Sequence, residues 1–152
     1  MGLLARLFGP GEGPRDLVAD LTEDYRAETQ QAARLRRHAE NARYPQVAAT
    51  LRHLAAIEER HASWLRDRLQ ARGADVPEVE PVELVGRNQW ERAGEALRHA
   101  QQKRRRLVEH ITRWDPEESD AVELFQRIEQ EDARGLPMYE AIVMRSDPQA
   151  LD

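Results

Sequence analysis

Residues 47–69, VAATLRHLAAIEERHASWLRDRL, decide the fold of this chain. Their apolar members recur at intervals of three and four, which places them on one side of an α-helix. This stripe consists of Val47, Leu51, Leu54, Glu58, Ala62, Leu65 and Leu69. Pro45 suits the first turn of such a helix and Gly73 suits its end. A helix with a single apolar face must bury that face against partner helices.

Three further segments carry the same helical periodicity. The first begins at Asp16 and ends before Pro45, because the residue that precedes a proline avoids the α-conformation. The third helix is predicted over about residues 88–112. The fourth begins after Pro116 and ends near Ser146. The sequence therefore predicts four helices.

The connections determine how these helices are arranged. The first connection is very short, so the first two helices must be antiparallel neighbours. Residues 73–86 have no helical period, and this linker could span about 45 Å when extended. Hairpin, long crossover and hairpin together predict an all-α, up-down four-helix bundle. We expect the bundle over residues 15–146, with an N-terminal tail at 1–14 and a C-terminal tail at 147–152.

Composition excludes several classes of protein. The 152 residues include no cysteine, so disulfides, cysteine-ligated metal centres and cysteine nucleophiles are excluded. The net charge of −5 argues against nucleic acid as the main partner. No apolar run approaches the length of about 18 residues that a membrane span needs. We expect a cytoplasmic protein that binds neither nucleic acid nor membranes.

Two acids interrupt the apolar stripes of the first two helices. At 100° per residue, Glu28 lies within about 20° of Leu21 and Leu35. Glu58 occupies the second stripe, and His61 shares its face. The other histidines show no such pairing and are expected at the surface: His38, His53, His99 and His110. A buried, isolated carboxylate costs several kcal/mol, so the pattern predicts a metal site; the alternatives are that a glutamate extends to water or pairs with an arginine.

The two acidic segments, AETQQA at residues 27–32 and AAIEERHA at 55–62, resemble rubrerythrin-type proteins of the ferritin-like superfamily. The resemblance covers about residues 16–146 and includes the long crossover. It implies that Glu28, Glu58 and His61 are metal ligands, with Glu58 as a bridge. Members of the family bind two iron ions and react with peroxide or oxygen, or store iron. The resemblance thus implies iron or manganese as the cofactor, with zinc or no metal as alternatives.

The fourth helix departs from the family pattern. A dinuclear site in such a bundle takes six protein ligands, including a Glu-x-x-His motif on each of two helices. In the best register, Asp132 aligns with Glu58 and Gly135 aligns with His61. Asp132 is therefore a fourth candidate ligand, but the second histidine is missing.

The third helix offers a cation where the family pattern has an acid. Its predicted apolar stripe consists of Trp90, Ala93, Leu97, Ala100, Leu107 and Ile111. Arg104 lies about 20° from the direction of Leu97, so we expect it to point inward. A buried guanidinium at this place could neutralise Glu28 and Glu58.

The sequence leaves two functions open. In the first, Glu28, Glu58, His61 and Asp132 form a residual or remodelled metal site that serves redox chemistry or iron handling. Any enzymatic activity would then be a weak oxidoreductase activity of the peroxidase or ferroxidase type. In the second, an arginine–carboxylate network replaces the metal, and the bundle is a structural or interaction module. By analogy, we expect a homodimer formed through the first two helices.

Overall fold

The structure, a computed structural model, describes residues 16–150 and confirms the predicted all-α bundle. Its four helices are α1 (Leu17–Asn41), α2 (Pro45–Ala71), α3 (Gln89–Trp114) and α4 (Ser119–Arg145). Residues 16–150 contain no strand. Within the same residues, no helix has the length and apolar character required to cross a bilayer. The predicted N-terminal tail lies outside the described residues.

Local sequence explains where the helices begin and end. Asp16 caps α1 by accepting a hydrogen bond from a backbone N–H at 3.0 Å, and Asn88 caps α3 in the same way at 2.9 Å. Pro45 opens α2, where its missing N–H has no consequence. Gly73 follows α2 with φ +69°, a conformation that favours glycine. Pro137 lies inside α4 on its exposed side, and the helix continues through it.

The two hairpins pack side by side, with α1 against α3 and α2 against α4. Along α1, Asp24 contacts His110 and Glu28 contacts Lys103, so α1 and α3 run in opposite directions. Because α1 is also antiparallel to α2, α2 and α3 run in the same direction. The linker between them must therefore traverse the length of the bundle, as its extended sequence predicted.

The buried core consists of two apolar clusters with a charged layer between them. One cluster lies near the α1–α2 turn and includes Leu35, Leu51 and Tyr139. The other lies near the opposite end and includes Leu21 and Phe125. Between the two clusters, every helix contributes at least one buried charged side chain. We call this set the polar layer, and its members are Glu28, Glu58, His61, Lys103 and Asp132.

The face that α3 buries differs from the predicted one. Trp90 is exposed, and the buried residues of α3 are Gln89, Ala93, Ala96, Ala100, Lys103, Leu107 and His110. They follow a heptad pattern, in which Ala96, Lys103 and His110 are seven residues apart. The prediction placed the stripe on large apolar side chains, which lie on the flank of α3 in the structure. Small alanines instead make the close contact with the neighbouring helices. The predicted surface position is therefore wrong for His110, and it is also wrong for His38 on α1.

Candidate metal centre

The four residues predicted as metal ligands come together in the polar layer. Glu28 lies on α1, Glu58 and His61 lie on α2, and Asp132 lies on α4; all four are buried. Each offers one ligand atom, and these four atoms all lie within 4.8 Å of one another. The acids that interrupt the apolar stripes of the sequence are therefore the acids that lie in the core.

Lys103 of α3 places an ammonium group among these carboxylates. Its Nζ donates a hydrogen bond to Glu28 Oε2 at 2.7 Å and another to Glu58, and it lies 3.4 Å from Asp132 Oδ2. The side chain is only 5% exposed. An ammonium group has three donors, so its capacity is used by carboxylates from the three other helices. This contact compensates much of the cost of burying the three acids.

The prediction of a buried arginine is wrong, because the buried cation is Lys103. Arg104 instead pairs with Glu129 of α4 at 2.6 Å, and 32% of its side chain is exposed. The buried face of α3 is centred on its alanines, so the residue that enters the core is the one before Arg104. The seven-residue spacing of Ala96, Lys103 and His110 follows this face in the sequence, but the residues after each of them have the same spacing, so the spacing alone does not select Lys103.

Both ring nitrogens of His61 face carboxylates. Nε2 lies 2.9 Å from Glu131 Oε2, and Glu131 also accepts hydrogen bonds from Arg60. Nδ1 lies 3.4 Å from Asp132 Oδ1 and 3.7 Å from Glu28 Oε2. Burial lowers the pKa of His61, but the carboxylates of Asp132 and Glu28 outweigh it and raise that pKa to about 10. The ring is therefore charged at neutral pH in the metal-free protein.

The two glutamates of the layer have different protonation preferences. Burial and the neighbouring charge of Glu28 raise the pKa of Glu58 well above its ordinary value. Burial also opposes the ionisation of Glu28, but Lys103 and the bonds with Glu58 and His61 hold the pKa of Glu28 below its ordinary value. With a proton on Glu58, the layer contains two carboxylates and two cations. Its net charge is then zero, as a dry core favours.

Gln31 and Tyr139 support one side of the layer, a role that the sequence pattern did not predict. The Tyr139 hydroxyl donates to Glu58 Oε1 at 3.3 Å. Gln31 Nε2 donates to that hydroxyl at 3.3 Å and to the Ala96 carbonyl at 3.0 Å. Tyr139 follows Asp132 by seven residues on α4, and this spacing places both on the buried face. These bonds fix the orientation of the Glu58 carboxyl group.

The donor set does not fit a dinuclear metal centre. Such a centre in a helix bundle takes a glutamate from each of two helices and Glu-x-x-His from each of the other two. Here α2 supplies Glu58 and His61, but α4 supplies Asp132 followed by Gly135, and α3 supplies Lys103. Two ligand positions are therefore missing, and an ammonium group occupies the space beside the acids. Four donors remain, which is sufficient for one metal ion.

Comparison with known proteins agrees with this architecture. A family model described as Rubrerythrin matches residues 21–134, about three quarters of the chain. The matched region contains all four candidate ligands and Lys103. No curated protein is similar enough to the chain to match it.

Proposed function

Because this chain belongs to the rubrerythrin family, we propose that its polar layer binds one divalent metal ion through Glu28, Glu58, His61 and Asp132. The observation that carries this proposal is the convergence of four ligand atoms from three helices within 4.8 Å. Carboxylate oxygens combined with an imidazole nitrogen suit iron, manganese or zinc. When bound, the ion would supply a Lewis acid and, for iron or manganese, a one-electron redox centre.

Lys103 replaces the charge of the second ion of a dinuclear centre without acting as a ligand. When all three carboxylates of the layer are ionised, Lys103 and one divalent ion together neutralise them. In the metal-free layer, protons on Glu58 and His61 provide the same neutrality. Metal ligation therefore requires these two residues to release their protons, so the affinity for metal should rise with pH.

The function that this site supports is single-metal binding of the kind used in iron handling. A reaction shared between two iron ions would require a carboxylate from α3 and a histidine from α4, which this chain does not supply at the site. The homodimer through α1 and α2 and the cytoplasmic location remain predictions from the sequence.

The contacts of Lys103 favour a second candidate function, that of a metal-free structural or interaction module. Its Nζ contacts acids from the three other helices and so provides, without metal, the positive charge that the acids need. In this case the network is a lysine–carboxylate network rather than the predicted arginine–carboxylate network. The polar layer would then serve to fix the register of the four helices.

Metal analysis of matched variants distinguishes the two candidates. Tag-free protein is incubated with Fe(II), Mn(II) or Zn(II), separated from unbound ion and submitted to elemental analysis. We expect Glu58→Gln to retain one ion per chain fewer than the wild type. Glu59→Gln is the matched control, because Glu59 is an exposed neighbour that pairs with Arg36, and it should retain the wild-type amount. Equal metal content in both variants, with every ion tested, overturns single-metal binding and supports the structural module.

A further inference from the structure

A second buried polar cluster lies between α1 and α3, apart from the polar layer. Asp20, Glu23 and Asp24 of α1 face His110 of α3. Seven residues separate His110 from Lys103, so the cluster lies about 10 Å further along α3. One ligand atom from each of Asp20, Glu23 and His110 lies within 4.8 Å of the other two. None of these residues belongs to the donor set described above.

His110 is held in a way that leaves one nitrogen without a hydrogen bond. The side chain is 1% exposed, and its Nδ1 lies 2.7 Å from Asp24 Oδ2. Its Nε2 is buried and has no hydrogen-bond partner among residues 16–150, and it is directed at Asp20 Oδ1, 3.5 Å away. A buried polar atom without a partner costs about 1–3 kcal/mol. A carboxylate on one ring nitrogen with the other nitrogen available is also how proteins orient a metal-binding histidine.

The two acids are also held in place by neighbouring side chains. The Trp114 indole donates to Asp20 Oδ2 at 2.8 Å, and Arg113 donates to the same oxygen, so the other oxygen of Asp20 faces His110. Glu23 Oε1 lies 2.6 Å from Arg106 Nε. The Glu23 side chain is 39% exposed, so the cluster opens to solvent on this side.

We propose that Asp20, Glu23 and His110 form a second metal site, selective for a zinc-like divalent transition-metal ion. Zinc binds nitrogen and oxygen at about 2.0–2.2 Å, so two ligands at a tetrahedral edge lie about 3.3–3.6 Å apart. The 3.5 Å between His110 Nε2 and Asp20 Oδ1 agrees with this spacing. Three protein ligands with an approach for water are typical of open zinc sites.

The charges of the cluster favour a cation. Asp20, Glu23 and Asp24 supply three carboxylates, whereas Arg106 and Arg113 supply two positive charges. Ligation requires a neutral His110, so that only the negative charge of the carboxylates faces an incoming divalent ion. The solvent-facing side of Glu23 gives a hydrated ion access to this charge.

Zinc titration in a background that silences the polar layer tests this site independently of the proposed function. Tag-free Glu58→Gln protein is titrated with Zn(II) by calorimetry, and we expect it to bind one ion per chain. Adding His110→Gln should abolish this binding, and adding Glu23→Gln should weaken it at least about tenfold. His53→Gln is the control, since His53 is exposed on α2, and it should bind as the parent does.

Circular dichroism and thermal unfolding establish that each variant is folded. Because His110 is buried, His110→Gln could fail to fold. The zinc affinity of Glu23→Gln then decides the test, because the Glu23 side chain is partly exposed. The proposal is overturned if Glu58→Gln binds no zinc. It is also overturned if zinc affinity is unchanged in Glu23→Gln or in folded His110→Gln. Loss of metal in the Glu58→Gln single variant relative to the wild type bears on the polar layer alone.

Discussion

The two hairpins of the bundle share one layout but bring different sets of charged side chains to the polar layer. The α1–α2 hairpin contributes Glu28, Glu58 and His61, which is half of a dinuclear donor set. At the same level, the α3–α4 hairpin contributes Lys103 and Asp132, with Gly135 at the position of the second histidine. The difference shows that one hairpin can present candidate ligands while the other supplies a protein cation.

The apolar clusters explain why the fold tolerates this difference. Each cluster contains residues from both hairpins and lies on one side of the polar layer. Most of the hydrophobic stabilisation is therefore independent of the chemistry in the layer. What the layer requires is charge balance, which either a metal ion or an ammonium group can supply.

The largest effect, a gain in metal content, is expected when the α3–α4 hairpin is converted to the family pattern. Lys103→Glu combined with Gly135→His supplies the carboxylate of α3 and the histidine of α4 that the site lacks. A Cβ at position 135 would lie 3.7 Å from Leu54 Cδ2, an ordinary contact, so the new side chain begins without a clash. We expect the double variant to bind one Fe(II) per chain more than the wild type, by elemental analysis.

Gly135→His alone is the control for this conversion, because it leaves Lys103 among the carboxylates. It should not increase the metal content. If the folded double variant binds no more metal than the wild type, positions 103 and 135 are not the two missing ligand positions.

The second effect is a loss of stability when the buried cation is removed. Lys103→Met leaves Glu28, Glu58 and Asp132 without the ammonium group, so we expect the free energy of unfolding to fall by about 3–5 kcal/mol. Arg104→Met removes the adjacent cation, whose ion pair with Glu129 is partly exposed, and should cost at most about 1 kcal/mol. Urea denaturation of the metal-free proteins measures both values. Similar losses in the two variants would contradict the assignment of Lys103 as the buried cation.

The third effect is the dependence of stability on pH. Folding raises the pKa of His61 from 6.5 to about 10, so the protonated ring stabilises the folded protein. This stabilisation is complete below about pH 6.5 and is lost as the pH rises through 10. The free energy of unfolding of the metal-free protein should therefore decrease over this interval. Denaturant titrations at several pH values should show a smaller decrease for His61→Gln than for the wild type. His53→Gln should follow the wild type, and equal slopes for all three proteins would count against a charged His61.

The smallest effect concerns the glycine that stands in place of the second histidine. Gly135→Ala adds a methyl group in ordinary contact with Leu54 and removes the flexibility of a glycine inside a helix. We expect a gain of about 0.5–1 kcal/mol in the free energy of unfolding. Gly94→Ala on α3, where a new Cβ meets nothing within 4 Å, should give a similar gain. A lower melting temperature for Gly135→Ala alone would indicate that the layer requires the absence of a side chain there.

The sequence predicted most of the fold and the acidic half of the site. Pro45, Gly73 and the periodic stripes placed the helices within a few residues of their observed bounds. Glu28 and Glu58 could be identified because a charged residue in the middle of an apolar stripe is conspicuous in any helical projection. Asp132 followed from the register between α2 and α4.

The cations could not be identified in the same way. Lys103 and Arg104 are adjacent in a basic segment, and only the rotation of α3 about its axis decides which of them enters the core. The same rotation buries His110, which had been expected at the surface.

The sequence by itself determined that four amphipathic helices must associate and that two of them carry acids into the core, because hydrophobic periodicity is a local property of the chain. Only the tertiary structure decided that Lys103 meets those acids and that His110 meets Asp20 and Asp24. The rotation of a helix is set by the close packing of its small residues, here Ala96 and Ala100, against neighbouring helices. That packing depends on residues distant in sequence, and a rotation equal to one residue exchanges a buried side chain for an exposed one.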